Sequence, residues 1–79
     1  MSAMDKRIKL TWDFRGPQSG PTARHFELHL RESPLFRPDI PTGVEHLTEM
    51  HSLAFMVVAA SEMPEFRDTL KPHRGSLAE

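Results

Sequence analysis

Four apolar residues at every second position predict the first element, a strand over about 7–15. Charged residues and a threonine stand between them. Successive side chains of a strand point to opposite faces of a sheet, so this strand has one apolar and one polar face. Gly16-Pro17 ends it. The apolar positions are Ile8, Leu10, Trp12 and Phe14.

The next segment changes to a helical period and predicts a helix over about 20–32. Ser19 or Thr22 can cap it, and Pro21 is tolerated in a first turn. At about 100° per residue, three apolar side chains fall within one arc and form a buried stripe. They are Ala23, Phe26 and Leu30.

Three prolines and Gly43 make residues 33–43 a poor helix and predict an extended loop. Leu35, Phe36 and Ile40 are expected to attach this loop to the core. A short edge strand is expected over 44–48.

Residues 50–60 carry the strongest structural signal, because both alternating sets of side chains are apolar. Such a pattern is typical of a central strand covered on both faces. Ser61 is a favourable N-cap for a second helix, which Pro72 ends. A short polar tail is expected after it.

The sequence therefore predicts an α+β protein, a two-layer β-α-(β)-β-α sandwich with two helices on one face of a small sheet. We expect a single domain over 1–79 with an ordered core of about 7–73 and a short polar tail at each end. The helices leave the second apolar face of the central strand uncovered. An exposed apolar face is usually an interface, so we expect a homodimer.

Composition argues against several classes of site and partner. The 79 residues include no cysteine, which excludes disulfides and thiolate zinc sites. Ten basic and eleven acidic residues argue against a nucleic-acid partner. The apolar run over 53–60 is far shorter than the roughly 20 residues that span a bilayer. We expect a soluble cytoplasmic protein that is not bound to membranes.

Five histidines in so short a chain suggest a metal site. His25 and His29 lie four residues apart on the predicted helix, a spacing at which two imidazoles can share zinc or another divalent ion. His51 is the candidate third ligand, with His73 as an alternative. The simpler interpretation is that His25 and His29 flank the buried stripe of the helix.

Basic residues suggest a second kind of site, for a small anionic ligand or an acidic protein partner. Arg15 ends a strand just before a helix, where anions are often bound. Lys71, His73 and Arg74 form a second basic group. The simpler interpretation is a solvated Asp13–Arg15 pair and ordinary compensation of a helix dipole.

Nucleophilic catalysis has no support, because no G-x-S-x-G motif occurs and His51 and Ser52 point to opposite faces of one strand. The leading hypothesis is a non-enzymatic, homodimeric binding module. A histidine-based metal-binding protein is the first alternative. A small enzyme with its site at a dimer interface is the second.

Three segments together resemble a family of small uncharacterised bacterial proteins built as strand, helix, strand, helix. The segments are W-D-F-R-G at 12–16, T-A-R-H-x3-H-L at 22–30 and R-D-T-L-K-P-H-R-G at 67–75. The resemblance covers about half of the chain and implies an α+β fold and a bacterial origin. It implies no activity and no functional residue.

Overall fold

The computed structural model describes residues 6–78, and within them it contains four strands and two helices. A single turn of 3-10 helix, Ala60–Glu62, leads into the second helix. The predicted polar tail at the N-terminus lies outside the described residues. The elements in chain order are β1 Arg7–Arg15, α1 Ser19–Glu32, β2 Thr42–Thr48, β3 His51–Ala59, α2 Met63–Leu70 and β4 Arg74–Ala78.

The strands form one sheet in the order β2-β3-β1-β4, and every neighbouring pair is antiparallel. Each helix connects two strands that have a third strand between them. This connectivity is the split β-α-β, or ferredoxin-like, arrangement. The predicted α+β sandwich is therefore confirmed. The arrangement itself assigns no function, because many unrelated activities occur on it.

The register of the two central strands decides which side chains face the helices. Leu10 lies opposite Met56, and Trp12 lies opposite Ala54. Even-numbered residues of both strands therefore share the helix face. Together with side chains from both helices and the proline-rich loop they form a core in which each member is at most 5% exposed. Its members are Leu10, Trp12, Leu30, Ile40, Ala54, Met56, Val58 and Phe66.

Trp12 connects the sheet to both helices. Its ring lies 5.3 Å from that of Phe26 on α1. Its indole Nε1 donates a 3.0 Å hydrogen bond to the carbonyl oxygen of Leu70, in the last turn of α2. A buried indole N–H needs an acceptor, and helix-end carbonyls lack partners within their own helix. One bond therefore satisfies both groups.

The proline-rich loop is attached to the core as predicted. Ile40 is 5% exposed, and Leu35 and Phe36 are half-buried against the core. Val57 donates a backbone hydrogen bond of 2.9 Å to Pro41. The loop ends earlier than expected, since β2 begins at Thr42 rather than at residue 44.

The predicted tail after Pro72 is wrong, because residues 74–78 form the edge strand β4. This strand pairs with β1 from Thr11 to Arg7. Its five residues contain one large apolar side chain, Leu77, so no alternating pattern indicates a strand. The predicted cap of the second helix is also wrong. Ser61 lies within the 3-10 turn, and no side chain caps α2.

Replacing Trp12 by Phe removes the hydrogen bond to α2 and part of a buried ring. We expect the free energy of unfolding to fall by about 2–3 kcal/mol. Urea denaturation followed by circular dichroism measures it. Leu28→Ala, at a position that is 56% exposed, is the control and should change it by less than about 0.5 kcal/mol. Equal midpoints for both variants would show that Trp12 does not connect these elements.

Candidate functional site

The sheet face opposite the helices, which we call the open face, carries most of the predicted site residues. It consists of the odd-numbered residues of β1 and β3 with their neighbours on β2 and β4. Leu53 and Thr11 point to this face yet are only 4% and 5% exposed. In the register Leu53 lies between Asp13 and Glu45, so polar neighbours flank it on both sides.

An ion pair covers another apolar position of the open face. Lys9 places its Nζ atom 4.8 Å from the ring centroid of Phe55 and 3.1 Å from Oε2 of Glu45. The aliphatic part of a lysine can shield apolar surface while its ammonium group stays in water. Side chains of this chain therefore cover much of the second apolar face that we expected a partner to cover.

Asp13 is the centre of a polar cluster on the open face. Its Oδ1 atom lies 2.9 Å from Nε2 of His51. Arg74 donates from Nε to Oδ2 at 2.9 Å and from Nη2 to Oδ1 at 3.0 Å. Such a two-point contact fixes a guanidinium in the plane of the carboxylate. We call Asp13, His51 and Arg74, with the adjacent Arg15, the Asp13 cluster.

The sheet register brings these residues together from three strands. Arg15 lies directly opposite His51 on β3, and Arg74 on β4 lies opposite Thr11. Asp13 is therefore a diagonal neighbour of His51 and of Arg74. Long side chains on one sheet face can contact each other at that separation. Two of the segments on which the family resemblance rests, 12–16 and 67–75, meet here.

His73 contacts Asp13 through the backbone. Its Nδ1 atom accepts a 2.9 Å hydrogen bond from the amide of Asp13, and its own amide donates to the Thr11 carbonyl at 2.9 Å. The side chain thus extends the β1–β4 ladder by one bond. A nitrogen that accepts a hydrogen bond carries no proton, so this contact requires the ring to be neutral with its proton on Nε2.

Opposing influences act on the Asp13 carboxylate. Partial burial on its own would raise the pKa of Asp13, but the hydrogen bonds from His51 and Arg74 and the charge of Arg74 outweigh it, so the pKa is lowered. The burial that raises the pKa and the hydrogen bonds that lower it both arise from the contacts within the cluster. Asp13 is consequently ionised at neutral pH and acts as an acceptor for its neighbours.

The remaining basic candidates have separate positions. Arg15 is exposed and forms no ion pair within residues 6–78. Lys71 ends α2 in the left-handed conformation, with φ of 53°, and its amide donates to the Arg67 carbonyl. The structure therefore brings His73 and Arg74 together at Asp13, and Lys71 serves as a helix C-cap.

The two candidate metal ligands on α1 do lie side by side. The Nε2 atoms of His25 and His29 are 3.0 Å apart, and both side chains are exposed. The structure does not add His51 to them, because His51 is on the open face and bonds Asp13. No three histidine, aspartate or glutamate side chains among residues 6–78 are grouped so that they could hold one metal ion.

Sequence reasoning missed a contact between His46 and Ser52. His46 Nδ1 lies 2.8 Å from the Ser52 hydroxyl, and Ser19 Oγ lies 3.5 Å from the same hydroxyl. The two residues meet across the β2–β3 hairpin, in which the register shifts after His46. Ser52 is 1% exposed. A serine so deeply buried cannot reach a substrate, so this pair supports the core rather than nucleophilic catalysis.

A shallow cavity of about 120 Å³ lies away from the Asp13 cluster, between the proline-rich loop and the end of β3. Its charged lining residues are Arg7, Arg37, Asp39 and Glu62. Arg37 pairs with Glu62 at 3.0 Å and with Asp39 at 3.5 Å. The lining is balanced in charge and small in volume, so the cavity is a weaker candidate than the open face.

Comparisons with protein-family models, with curated proteins and with solved structures find no match to this chain. The resemblance to a bacterial family therefore stays a prediction. Among the described residues, neither helix has the length and hydropathy needed to cross a membrane.

The pKa of Asp13 predicts how stability depends on pH. Because this pKa is lower in the folded protein than its ordinary value of 3.8, the unfolded chain binds protons more readily than the folded one. The stabilisation by Asp13 is therefore complete above 3.8 and is lost as the pH falls through the lower, folded pKa. Asp13→Asn should be less stable than the wild type at neutral pH, and this difference should shrink as the medium is acidified.

Urea denaturation of both proteins between pH 7 and pH 2 measures this difference. Asp68→Asn is the matched control, since within residues 6–78 Asp68 pairs only with its exposed neighbour Arg67. Exposed pairs contribute little to stability. A difference between wild type and Asp13→Asn that stays constant over this pH range would contradict the assignment.

Proposed function

We propose that the protein is a non-enzymatic binding module that acts as a homodimer and binds a small anionic group at the Asp13 cluster. The observation that supports the anion site most directly is the imbalance of charge within the Asp13 cluster. Two guanidinium groups, of Arg15 and Arg74, accompany a single carboxylate, that of Asp13.

The geometry of Arg74 supports this proposal. Asp13 accepts hydrogen bonds from Nε and from Nη2 of Arg74. A guanidinium has five N–H donors in a fixed plane, so these two bonds do not use all of them. The remaining donors can reach a carboxylate or phosphate oxygen. Asp13 thereby holds the guanidinium in position before a ligand arrives, which reduces the entropy lost on binding.

Arg15 is the second anchor of the proposed site. It is exposed, and it lies opposite His51 rather than opposite an acidic residue. An arginine beside a neutral or positive neighbour is available to an external anion. The simpler interpretation from the sequence, a solvated Asp13–Arg15 pair, is less favoured because Asp13 bonds Arg74 and His51 instead.

Titration with inorganic phosphate at pH 7 and low ionic strength tests the site. In a ¹H–¹⁵N spectrum we expect saturable shifts at residues 13–16, 51 and 73–75. Arg15→Gln should weaken phosphate binding by about tenfold, which corresponds to ~1.4 kcal/mol. Because Arg15 forms no ion pair within residues 6–78, this substitution leaves the Asp13 contacts in place.

Arg67→Gln, on the exposed face of α2, is the control and should leave the phosphate affinity unchanged. Equal weakening in both variants would mean that phosphate responds only to net charge. Shifts confined to residues outside the Asp13 cluster would also reject the site.

The edge strand β4 is the interface that we favour for the homodimer. The ion pair of Lys9 with Glu45 lies over the open face and disfavours stacking of two sheets there. β4 is an outer strand, and Leu77 on it is 59% exposed. An exposed edge strand readily pairs with a second chain. By contrast, β2 at the other edge has an irregular register after His46.

Replacing Leu77 by Lys places a charge on this edge and should convert the dimer to a monomer. Sedimentation equilibrium at tens of micromolar protein measures the mass of each form. Leu28→Lys is the matched control, because Leu28 is equally exposed, at 56%, but lies on α1. It should remain dimeric. A wild-type mass equal to one chain would reject the dimer and leave the anion site to be judged separately.

A cytoplasmic location and a bacterial origin belong to the same proposal. The absence of cysteine from all 79 residues is compatible with a reducing compartment. The three resembling segments support the bacterial origin.

A further inference from the structure

The exposed histidine pair on α1 lies outside the Asp13 cluster and has the geometry of a metal chelate. We propose that His25 and His29 bind one Cu²⁺ or Ni²⁺ ion through their Nε2 atoms. The rings are roughly perpendicular, with an interplanar angle of 81°, and their centroids are 4.6 Å apart. Both residues occupy one side of a regular fourteen-residue helix, so the backbone holds their spacing.

The distance between the two Nε2 atoms indicates which coordination geometry the pair fits best. Bonds from a metal to imidazole nitrogen are about 2.0–2.1 Å long. With nitrogens 3.0 Å apart, two such bonds enclose an angle of about 94° at the metal. Tetrahedral coordination would need a separation of roughly 3.3 Å. The observed spacing therefore fits adjacent positions of a square-planar or tetragonal ion, the geometry of Cu²⁺ and Ni²⁺, better than tetrahedral Zn²⁺.

Glu32 supports the required tautomer of one ligand. Its Oε1 atom lies 3.9 Å from Nδ1 of His29, one turn further along α1. A carboxylate near Nδ1 favours the proton on that nitrogen and leaves the lone pair of Nε2 for the metal. Without metal, one Nε2–H can donate to the other Nε2 atom across the same 3.0 Å. Metal binding replaces that hydrogen bond with two coordinate bonds, and the ring that donated then carries its proton on Nδ1 instead of Nε2.

Two protein ligands leave the other coordination positions to water. This follows from the absence of any suitable group of three side chains among residues 6–78. Such a site is open, so its ion exchanges readily and is accessible to external ligands. It differs in this respect from the closed, four-ligand sites that serve a structural purpose.

Calorimetric titration with Cu²⁺, Ni²⁺ and Zn²⁺, each alone in a non-chelating buffer at pH 7.5, tests the proposal. We expect one Cu²⁺ per chain, with weaker Ni²⁺ and still weaker Zn²⁺ binding. His25→Gln and His29→Gln should each lower the Cu²⁺ affinity at least about tenfold, equivalent to ~1.4 kcal/mol. His46→Asn removes a histidine that contacts Ser52 rather than the pair on α1, and it should retain wild-type Cu²⁺ affinity.

Electron paramagnetic resonance of the Cu²⁺ form provides a readout that identifies the nitrogen ligands directly and that net charge does not alter. Nitrogen couplings from two imidazoles in the wild type, and from one in each single variant, support the assignment. Circular dichroism confirms that the variants keep their helix content. Unchanged Cu²⁺ affinity in His25→Gln and His29→Gln, or an equal loss in His46→Asn, would overturn it.

Discussion

The antiparallel pairing of β1 with β3 is the constraint on which the rest of the structure depends. It runs without a break from Arg7–Ala59 to Arg15–His51. Since side chains alternate between faces, this one register places Leu10 with Met56 in the core. It also places Arg15 beside His51 on the open face. A slip by one residue would bury charged side chains and separate Asp13 from His51.

The strong periodic signals in the sequence predicted the central part of the fold. Alternation over residues 8–15 and the doubly apolar run over 50–60 correspond to β1 and β3, and the helical period corresponds to α1. These elements are predictable because their burial requires a regular pattern of apolar residues. β4 has no such requirement. Its five residues lie at an edge of the sheet. They form a strand because of backbone hydrogen bonds to β1, which require no particular pattern of side chains.

The Asp13 cluster was only partly predictable for a related reason. The sequence indicated Arg15, His73 and Arg74 as anion-binding candidates and His51 as a metal ligand, but it did not identify Asp13 as the partner of Arg74 and His51. That partnership depends on β4 lying next to β1, a pairing between residues about sixty positions apart. The local spacing of His25 and His29, in contrast, was predictable, because a helix fixes the geometry of residues four apart.

The sequence of β3 is apolar on both faces, but this pattern does not specify what covers the second face. The sequence suggested a second chain over Leu53 and Phe55. In the structure Leu53 is 4% exposed within a single chain, and Lys9 lies over Phe55. Long charged side chains from neighbouring strands can shield apolar residues without an additional layer. This weakens the sequence-based argument for stacked sheets, which is why we place the proposed dimer interface at the β4 edge.

The proposed anion site and the proposed dimer edge share a residue, and this links the two. Arg74 begins β4 and also binds Asp13 on β1, so the same guanidinium holds the edge strand and belongs to the proposed anion site. An anion that used the remaining donors of Arg74 would keep the Asp13 contacts and strengthen the attachment of β4. One that displaced Asp13 would loosen it. By linkage, an anion that strengthens the attachment of β4 would be bound more tightly by the dimer, and one that loosens it would be bound less tightly.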